Sequence, residues 1–508
     1  MIRKTDPEAI RPYLDDASGM TGGHASEVVL PEDAREAAEV LAESAAAGVA
    51  VTISGGGTGL AGGRIPAGGR VLATDRLGGV RSIECRAEVG IAVAGAACTL
   101  AELDRAAAAR GLFLPPDPTE QLAWVGGAVA TGASGSRSFH YGPIRRFVRR
   151  LTLILADGTI IDAPRGRFIA DGSGWITLPG ARGELRIPVP PGEPPRVKSA
   201  TGYARGPALD LVDLVIGSEG TLAVVAEAEL LLLARPEKVL AGIVFFPTEE
   251  ACWGALRDVR GRTYAARGYA GPAPTDLSPD RPPAAAESRR LLARALEYFG
   301  ADALEFVRLG GKGLPAAARA GLLFEQEHRE GDDDAVAEEW LGALAGHGAL
   351  LDDSWVALGE AERREIREFR HALPAGVNEW LSRHGRRKHG TDMAVPDEAL
   401  PEMLDRFRRD IAAAGIASAT FGHIGDNHLH VNLLPRDERE EVAARDLLGA
   451  WVRRAVALGG VVSAEHGIGK VKATLFRETA DPAFLAAMRA TKTALDPAGI
   501  LGRGNLFG

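Results

Sequence analysis

Two short segments near the C-terminus hold residue types that bind transition metals. The first, FGHIGDNHLHVNLLP (421–435), contains three histidines and an aspartate, and the second, SAEHGIGK (463–470), contains a Glu–His pair. Imidazole and carboxylate groups together suit Zn²⁺, Mn²⁺ or Fe²⁺, and nearby Asp or Asn side chains can orient the ligands. The two segments together therefore predict a site for a divalent metal ion.

The spacing of the three histidines leaves two ligand sets open. On an unbroken strand His428 and His430 share one face, whereas His423 and His430 would face opposite ways. Gly425 and Asp426 mark a turn, however, and a turn lets the segment fold back on itself. His423 and His430 could then meet at one ion while His428 points elsewhere. The spacing alone therefore predicts either His428 with His430 or His423 with His430.

A glycine-rich loop near the N-terminus is the second candidate for chemistry. In SGGGTGLAGG (54–63) six of ten residues are glycine, and the loop follows a predicted strand at 49–53. Exposed N–H groups in such a turn form a concave nest that suits a phosphate group. No lysine follows as in a P-loop, and the sequence returns at once to strand instead of opening a long helix. A nucleoside triphosphatase and a Rossmann dehydrogenase are both disfavoured.

The chain that must position these residues is long enough for two or three domains, with 508 residues. Hydrophobic residues make up 46% and charged residues 25% of it, as in ordinary globular proteins. The formal net charge of −9 comes without a basic block, so no nucleic-acid partner is expected. Cys85, Cys98 and Cys252 are odd in number and widely spaced, which predicts a reduced cytoplasmic setting and no iron–sulfur cluster.

No transmembrane segment is predicted. The most apolar run, 209–233, is interrupted by five Asp, Glu or Gly residues, and the first twelve residues resemble no secretory signal. We therefore expect a cytoplasmic protein. Peripheral contact with the inner face of a membrane and assembly into a homodimer are both compatible with the sequence.

Apolar periodicity predicts an α+β chain in two main parts. Residues 31–47 are predicted to form an amphipathic helix with acidic residues early, which precedes the strand at 49–53. Further strands are predicted at 89–93, 148–155, 214–216 and 222–233, in one large mixed domain reaching about residue 235. The Pro- and Ala-rich segment 264–290 is predicted to be a surface excursion. A second α+β domain is indicated by helices at 287–300, 334–346, 359–384 and 398–414 and by strands at 242–246 and 429–433.

Several segments resemble, in order, the vanillyl-alcohol-oxidase type of FAD-binding domain. VTISGGGTGLAGG (51–63) resembles its pyrophosphate loop, residues 114–148 resemble its second flavin segment, and VIGSEGTLAVV (215–225) resembles its third. GHIGDNHLHVN (422–432) and AEHGIGK (464–470) are similar to the metal and catalytic motifs of D-lactate, glycolate and D-2-hydroxyglutarate dehydrogenases. The resemblance extends from about residue 31 to the closing LDPAGILGRGNLF (495–507).

The resemblance implies an α+β fold in three parts. They are an N-terminal two-subdomain FAD-binding domain (1–235), an α+β substrate-binding cap domain (236–458) and a short C-terminal catalytic segment (459–508) that returns to the flavin domain. FAD is expected to bind without a covalent bond, as in these dehydrogenases. The residues assigned to it are Ser54, Gly55, Gly56, Gly57, Thr58, Gly59, Leu60, Pro116, Asp117, Gly126, Gly127, Thr131, Ser134, Gly135, Tyr141, Gly142, Glu219, Gly220 and Asn505.

The same resemblance assigns the metal ligands and the catalytic residues. The ligands carried over are His423, His430 and Glu465. His428 stands where the commoner pattern has Asn, so a role for it beside the metal is left open. The catalytic residues carried over are His466 as the proton-abstracting base, Asn432 as a substrate contact, and Arg370 and Lys388 for the substrate carboxylate.

The implied activity is metal-assisted oxidation of a small D-2-hydroxy acid to the 2-oxo acid with FAD as oxidant. D-lactate is the substrate we expect, with glycolate and D-2-hydroxyglutarate as alternatives. Electrons would leave reduced FAD for a quinone, a cytochrome or an electron-transfer flavoprotein. Two other functions fit the residues: an oxidase that uses O₂, and a metallohydrolase in which the glycine loop is incidental.

Overall fold

The computed structural model of the chain describes residues 1–86, 89–180, 183–267, 290–309, 313–357 and 359–508. The predicted excursion 264–290 lies outside these residues except at its two ends, where 264–266 complete a helix. None of the helices within the described ranges is both long enough and apolar enough to cross a bilayer.

A four-stranded sheet opens the chain. Its strands, in the spatial order β1, β2, β4, β3, are β1 (Ile2–Lys4), β2 (Glu27–Leu30), β3 (Val51–Ser54) and β4 (Arg70–Ala73). The helices here are α1 (Pro7–Ile10) and α2 (Ala34–Ala47). Asp33 caps the start of α2 by accepting from the Glu36 N–H, and Gly48 ends it with a left-handed φ of 66°. The helix predicted at 31–47 and the strand predicted at 49–53 are confirmed.

An antiparallel sheet of six strands follows, with a separate two-stranded hairpin. The sheet contains β5 (Val80–Arg86), β6 (Val89–Gly95), β7 (Leu112–Phe113), β8 (Val148–Ile154), β9 (Ile160–Pro164) and β12 (Val224–Ala234), and the hairpin pairs β10 (Trp175–Gly180) with β11 (Gly183–Pro188). The helices are α3 (Leu100–Ala108), α4 (Val125–Thr131), α5 (Ser138–Tyr141) and α6 (Leu211–Val215).

The strand predicted at 214–216 is wrong, because this segment belongs mainly to α6. Asp210 caps that helix by accepting from the Val212 N–H at 2.7 Å. All of the apolar side chains of α6 are buried. A short run that is apolar on every side has no periodicity from which helix and strand could be distinguished.

A seven-stranded antiparallel sheet forms the second half, in the order β16, β13, β15, β14, β18, β19, β17. Its strands are β13 (Lys238–Phe246), β14 (Ala295–Phe299), β15 (Ala320–His328), β16 (Trp355–Ala357), β17 (His389–Gly390), β18 (Ala417–His423) and β19 (His428–Leu434). The helices are α7 (Glu249–Ala266), α8 (Ala301–Leu309), α9 (Asp333–Ala345), α10 (Glu360–His384), α11 (Leu400–Ala414) and α12 (Glu438–Ala457).

The helices predicted at 334–346, 359–384 and 398–414 are confirmed, but the helix predicted at 287–300 is wrong. Within the described residues that segment contains β14, the central strand of the sheet, whose five residues are all buried. A strand covered on both faces lacks the polar alternation that identifies a half-exposed strand.

The C-terminal segment returns from the second half of the chain to the first. After α13 (Ala473–Thr479) and α14 (Pro482–Leu495), the Ile500 carbonyl accepts from the Val51 N–H on β3 at 2.8 Å. The side-chain amide of Asn505 donates to the Gly63 carbonyl at 2.9 Å. The last residues therefore pack beside the glycine-rich loop.

An ion-pair network joins the two halves. Glu325 on β15 pairs with Arg294 at 2.6 Å and with Arg137, just before α5, at 3.3 Å. Arg294 also pairs with Glu327 at 2.9 Å, and the Tyr141 hydroxyl donates to that same carboxylate. Burial alone would raise the pKa of Glu325, but Arg294 and Arg137 lower it to about 2. The network holds α5 against β15.

We expect Glu325 to make the stability of the protein depend on pH in the acid range. Because its folded pKa of about 2 lies below the ordinary 4.5, its stabilisation is complete above pH 4.5 and is lost as the pH falls toward 2. That difference corresponds to about 3 kcal/mol. In urea unfolding Glu325→Gln should be less stable at neutral pH and lose less stability than wild type on acidification. Glu39→Gln, in an exposed pair with Arg35, is the control. Identical acid dependence in all three proteins would contradict this role.

Candidate active site

The three histidines of segment 421–435 lie on one hairpin, formed by β18 and β19. Residues Ile424–Asp426 make a short 3-10 turn, and Asn427 closes it with a left-handed φ of 52°. In the register of the hairpin His423 pairs directly with His428, and His430 lies two residues further along β19. Directly paired and alternate residues share one face of a sheet, so all three imidazoles project from the same side.

This arrangement differs from the expectation that His428 would point away when His423 and His430 meet. The ring centroids of His428 and His430 are 4.5 Å apart, and those of His423 and His430 are 5.7 Å apart. The turn occupies only the residues between His423 and His428, which places these two opposite each other. The hairpin therefore brings together both of the alternative ligand pairs.

Glu465 joins the three histidines in one cluster. Its Oε2 atom lies 3.4 Å from His423 Nε2 and 3.4 Å from His428 Nδ1. One possible ligand atom from each of His423, His428, His430 and Glu465 falls within 4.8 Å of the others. Nitrogen and carboxylate donors at such separations can converge on one ion. The donor set therefore fits a divalent metal ion.

Each imidazole also has one nitrogen directed at an acceptor outside the cluster. The pairs are His423 Nδ1 with Glu297 Oε1 at 3.2 Å, His428 Nε2 with Asp392 Oδ1 at 3.1 Å, and His430 Nδ1 with the Thr391 carbonyl at 3.3 Å. Acceptors of this kind hold the proton on one ring nitrogen and leave the lone pair of the other for a metal.

Asp392 is the most heavily contacted of these acceptors. Its Oδ2 atom accepts from the Lys472 ammonium group, from the Ser463 hydroxyl and, at 3.2 Å, from the His466 N–H. Burial would raise the pKa of Asp392, but His466, Lys472 and His428 hold it well below its usual range. The carboxylate is therefore ionised and can only accept hydrogen bonds.

His466 lies next to the cluster and shares Asp392 with His428. Its Nδ1 atom is 3.4 Å from Asp392 Oδ1, and its ring stacks on that of His430 with centroids 5.5 Å apart. Burial lowers the pKa of His466, although Asp392 opposes that shift. The ring is therefore neutral at physiological pH, with Nε2 free to accept a proton.

Arg370 reaches the cluster through Glu297. Tyr298 on β14 pairs with Gly422 on β18, which places Glu297 beside His423. Arg370 Nε donates to Glu297 Oε2 at 2.8 Å. Burial would raise the pKa of Glu297, but Arg370 and His423 lower it to about 2. A buried carboxylate thus links the predicted carboxylate clamp to one of the predicted metal ligands.

The other two predicted substrate contacts differ in how closely they approach the cluster. Asn432 is buried on β19, on the same face as His430, and its amide donates to the Ala419 carbonyl at 3.2 Å. Lys388 directly precedes β17, whose Gly390 pairs with Asn432. The Lys388 side chain is exposed, and partial desolvation lowers its pKa. Asn432 therefore belongs to the face of the cluster, and Lys388 lies at its margin.

Four functional candidates were not found from the sequence: Lys198, Glu297, Asp392 and Lys472. Lys198 is buried, and its ammonium group donates to Glu465 Oε2 at 2.9 Å. A lone charge in the apolar run ALEYF (295–299) could have indicated Glu297. Asp392 lies within TDMAVP (391–396), which served only to locate Lys388. No local pattern distinguishes Lys198 or Lys472.

The segments that the resemblance assigns to FAD pack against one another. A Cβ added to Gly55 in the glycine loop would lie 4.0 Å from the Gly127 Cα on α4. The Glu219 N–H donates to the Ala130 carbonyl, also on α4, at 2.8 Å. Asn505 donates to the Glu219 carbonyl at 3.0 Å as well as to the glycine loop. The glycine loop, α4, segment 215–221 and the C-terminus therefore surround one region.

That region has features that fit a bound flavin nucleotide. A Cβ added to Gly59 or Gly127 would meet no atom within 4 Å, so both glycines border open space. The buried Ser134 hydroxyl has no hydrogen-bond partner within the described ranges. At Gly135 a Cβ would lie 1.9 Å from the Asp117 carbonyl oxygen, which only glycine avoids. Open space and an unpaired buried hydroxyl are what a cofactor with many polar groups requires.

The remaining predicted flavin residues surround this region at different depths. Ser54 is buried at the end of β3, whereas Leu60 is 43% exposed. Thr131 donates back to the Gly127 carbonyl at 3.0 Å. The hydroxyl of Tyr141 is directed to Glu327 on β15 rather than into the loop region. The others lie in the same loops: Gly56, Gly57, Thr58, Pro116, Gly126, Gly142 and Gly220.

Glu219 connects the flavin segments to the loop that holds the base. Its carboxylate accepts from the N–H groups of Ile468 at 2.7 Å and Gly469. Burial raises its pKa to about 7 against these two hydrogen bonds. The loop that follows His466 is thus fixed to segment 215–221.

Two family descriptions match the chain. Residues 25–164 match "FAD binding domain", and residues 235–506 match "FAD linked oxidases, C-terminal domain". The D-lactate dehydrogenase of Archaeoglobus fulgidus is 28% identical over 94% of this chain and 90% of its own length. The D-2-hydroxyglutarate dehydrogenase of Xanthomonas citri pv. viticola is 28% identical over 99% of this chain and 94% of its own.

Among solved structures, the fold is similar to that of an alkyldihydroxyacetonephosphate synthase. The TM-score is 0.65 at 16% identity, over 98% of this chain and 81% of the synthase. The predicted fold class is confirmed: an α+β chain in which an FAD-binding domain of the vanillyl-alcohol-oxidase type precedes a second α+β domain.

Proposed function

This chain belongs to the family of FAD-linked oxidases, and from that premise we propose that it is a dehydrogenase that oxidises a D-2-hydroxy acid to the 2-oxo acid. The observation that carries the proposal is one continuous face of the seven-stranded sheet. On that face a metal-ligand cluster, a neutral histidine base and an arginine lie within a few ångströms of one another.

FAD is the oxidant, and when bound it accepts the electron pair of the substrate C–H bond at flavin N5. The glycine loop 54–60, Gly126 and Gly127 would hold its pyrophosphate, with Ser134 available as a polar contact. Segment 217–220 and Asn505 border the same region. The described residues there bind and orient the cofactor and keep water from it.

A divalent ion held by His423, His430 and Glu465 would bind the substrate hydroxyl and carboxylate and lower the pKa of the hydroxyl. His466 would accept the hydroxyl proton at Nε2, because its Nδ1 atom faces Asp392. Arg370 would contact the substrate carboxylate with the nitrogen atoms that Glu297 does not use. Asn432 and Lys388 would add polar contacts at the edge of the same face.

The charges around the cluster favour a substrate with a single carboxylate. Each of the three buried acids there contacts one cation: Glu297 with Arg370, Asp392 with Lys472, and Glu465 with Lys198. Arg370 is therefore already shared, and a second substrate carboxylate would have to use the exposed Lys388. Monocarboxylates such as D-lactate or glycolate fit this balance better than D-2-hydroxyglutarate, and D-lactate is the substrate we propose.

Electrons would leave reduced FAD for a quinone, a cytochrome or an electron-transfer flavoprotein. An oxidase that uses O₂ is the second candidate with the same chemistry. A rapid-mixing measurement of flavin reoxidation separates the two, because an oxidase is reoxidised quickly in air and a dehydrogenase slowly.

We expect the purified protein to be yellow from non-covalent FAD and to bleach when D-lactate is added without oxygen. L-lactate should not bleach it, and D-2-hydroxyglutarate should do so more slowly, because of the charge balance. Removal of divalent metal with a chelator should slow bleaching strongly while leaving the flavin bound, and added metal should restore it.

The absorbance of the flavin is the measurement, with protein to which no acid is added as the control. Protein that binds no FAD even after reconstitution would contradict the dehydrogenase and favour the metallohydrolase. Bleaching that persists at the same rate after complete removal of the metal would contradict the metal-assisted step.

A further inference from the structure

His428 meets the requirements of a metal ligand that the family pattern does not assign. Its side chain is fully buried, and its Nδ1 atom has no hydrogen-bond partner within the described ranges. That atom lies 3.4 Å from Glu465 Oε2, the oxygen that also faces His423 Nε2. The position of His428 opposite His423 on the hairpin directs the ring into the cluster.

Asp392 determines which nitrogen of His428 can bind a metal. Because this carboxylate is ionised, it can only accept, so the proton of a neutral His428 ring lies on Nε2, 3.1 Å from Asp392 Oδ1. Lys472 and Ser463 donate to the other oxygen of Asp392 and prevent its rotation. The lone pair of Nδ1 is thus left facing Glu465.

We propose that His428 is a fourth protein ligand through Nδ1, so that the centre is His423, His428, His430 and Glu465. The inference rests on the proposed function for the role of the substrate, but not for the ligand set. Four protein ligands fill a tetrahedral ion, as in structural zinc sites, and leave no place for a substrate. An ion that accepts six ligands retains two positions, which is the number of oxygen atoms that a 2-hydroxy acid supplies.

The metal class follows from that count. Mn²⁺ and Fe²⁺ accept six ligands from nitrogen and oxygen donors, whereas zinc in proteins is mostly four-coordinate. The centre is therefore assigned to Mn²⁺ or Fe²⁺, with Zn²⁺ as an ion that would bind but exclude a chelating substrate.

The test compares metal binding by the intact flavoprotein and its His428→Gln variant. The glutamine amide can still donate to Asp392 in place of Nε2, but it supplies no donor atom at the position of Nδ1. Mn²⁺ affinity is measured from the electron paramagnetic resonance signal of the free ion, without substrate. We expect His428→Gln to bind Mn²⁺ at least ~100-fold more weakly, beyond the ~10–100-fold expected from loss of an outer partner. His347→Gln, at a partly exposed histidine near Asp258, should bind as wild type does.

Cobalt substitution of the wild-type protein gives a second measurement that does not depend on the variant. A six-coordinate Co²⁺ site should show only weak visible bands, and a tetrahedral site intense ones. Unchanged Mn²⁺ affinity in His428→Gln, or intense tetrahedral bands, would overturn the fourth ligand even if D-lactate bleaches the flavin. Wild-type protein that binds no divalent ion would instead overturn the metal-assisted function itself.

Discussion

His466→Asn is expected to lower the rate constant of flavin reduction by about 10²–10⁴-fold, the usual contribution of a general base. The asparagine amide can occupy the position of Nδ1 and still donate to Asp392, 3.4 Å away in the wild type. Only the proton acceptor at Nε2 is then removed. Substrate binding should change little, because the proposed contacts to the carboxylate come from Arg370 and the metal. Rapid mixing of D-lactate with the oxidised protein under nitrogen measures both quantities.

The position of His466 next to Glu465 requires that metal and flavin content be measured in the same samples. His466→Asn should retain both at wild-type levels, and His347→Asn should reduce its flavin at the wild-type rate. A variant that loses metal would make His466 a support for the ligand Glu465 rather than the base. A higher KM with an unchanged rate constant would make it a substrate contact.

The parts of the site that were predictable lie in contiguous motifs. His423, His428 and His430 fall within eight residues, and strand periodicity gave their possible pairings before the hairpin was known. The helices predicted at 334–346, 359–384 and 398–414 were confirmed because surface helices of that length repeat an apolar face over several turns. The family resemblance was confirmed because its motifs recur in order along most of the chain.

The parts that were not predictable depend on contacts between distant segments. Glu297 lies beside His423 only because β14 pairs with β18, and that pairing joins segments separated by three helices and two strands. Asp392 meets both His428 and His466 because the segment after β17 passes between them. Which of His423 and His428 would face the metal also depended on the turn, whose length sets the register.

The charged residues missed from the sequence explain why so many ionised groups can be buried at one site. Glu297, Asp392 and Glu465 would each carry a large desolvation cost in isolation. Each is instead paired with a cation, and each also contacts one of the clustered histidines. The same carboxylates therefore stabilise the fold and direct the imidazole lone pairs, so a change in either partner should affect both.

Arg370→Met is the variant for which this dual dependence gives the largest expected loss of stability. It would leave Glu297, whose side chain is only 4% exposed, without the cation that lowers its pKa to about 2. Removing one partner of a buried ion pair typically costs about 3–5 kcal/mol. Urea unfolding should show a loss of that size, and KM for D-lactate should rise about 10–100-fold because charge-assisted bonds to the carboxylate are lost.

The double variant Glu297→Gln/Arg370→Met separates the two roles of Arg370. Replacing both partners removes the uncompensated buried charge, so most of the lost stability should return. The rise in KM should persist, because no guanidinium group remains to bind the substrate carboxylate. Arg383→Met, in an exposed pair with Glu379, is the matched control and should change neither quantity. A wild-type KM in the double variant would show that Arg370 stabilises Glu297 but does not contact the substrate.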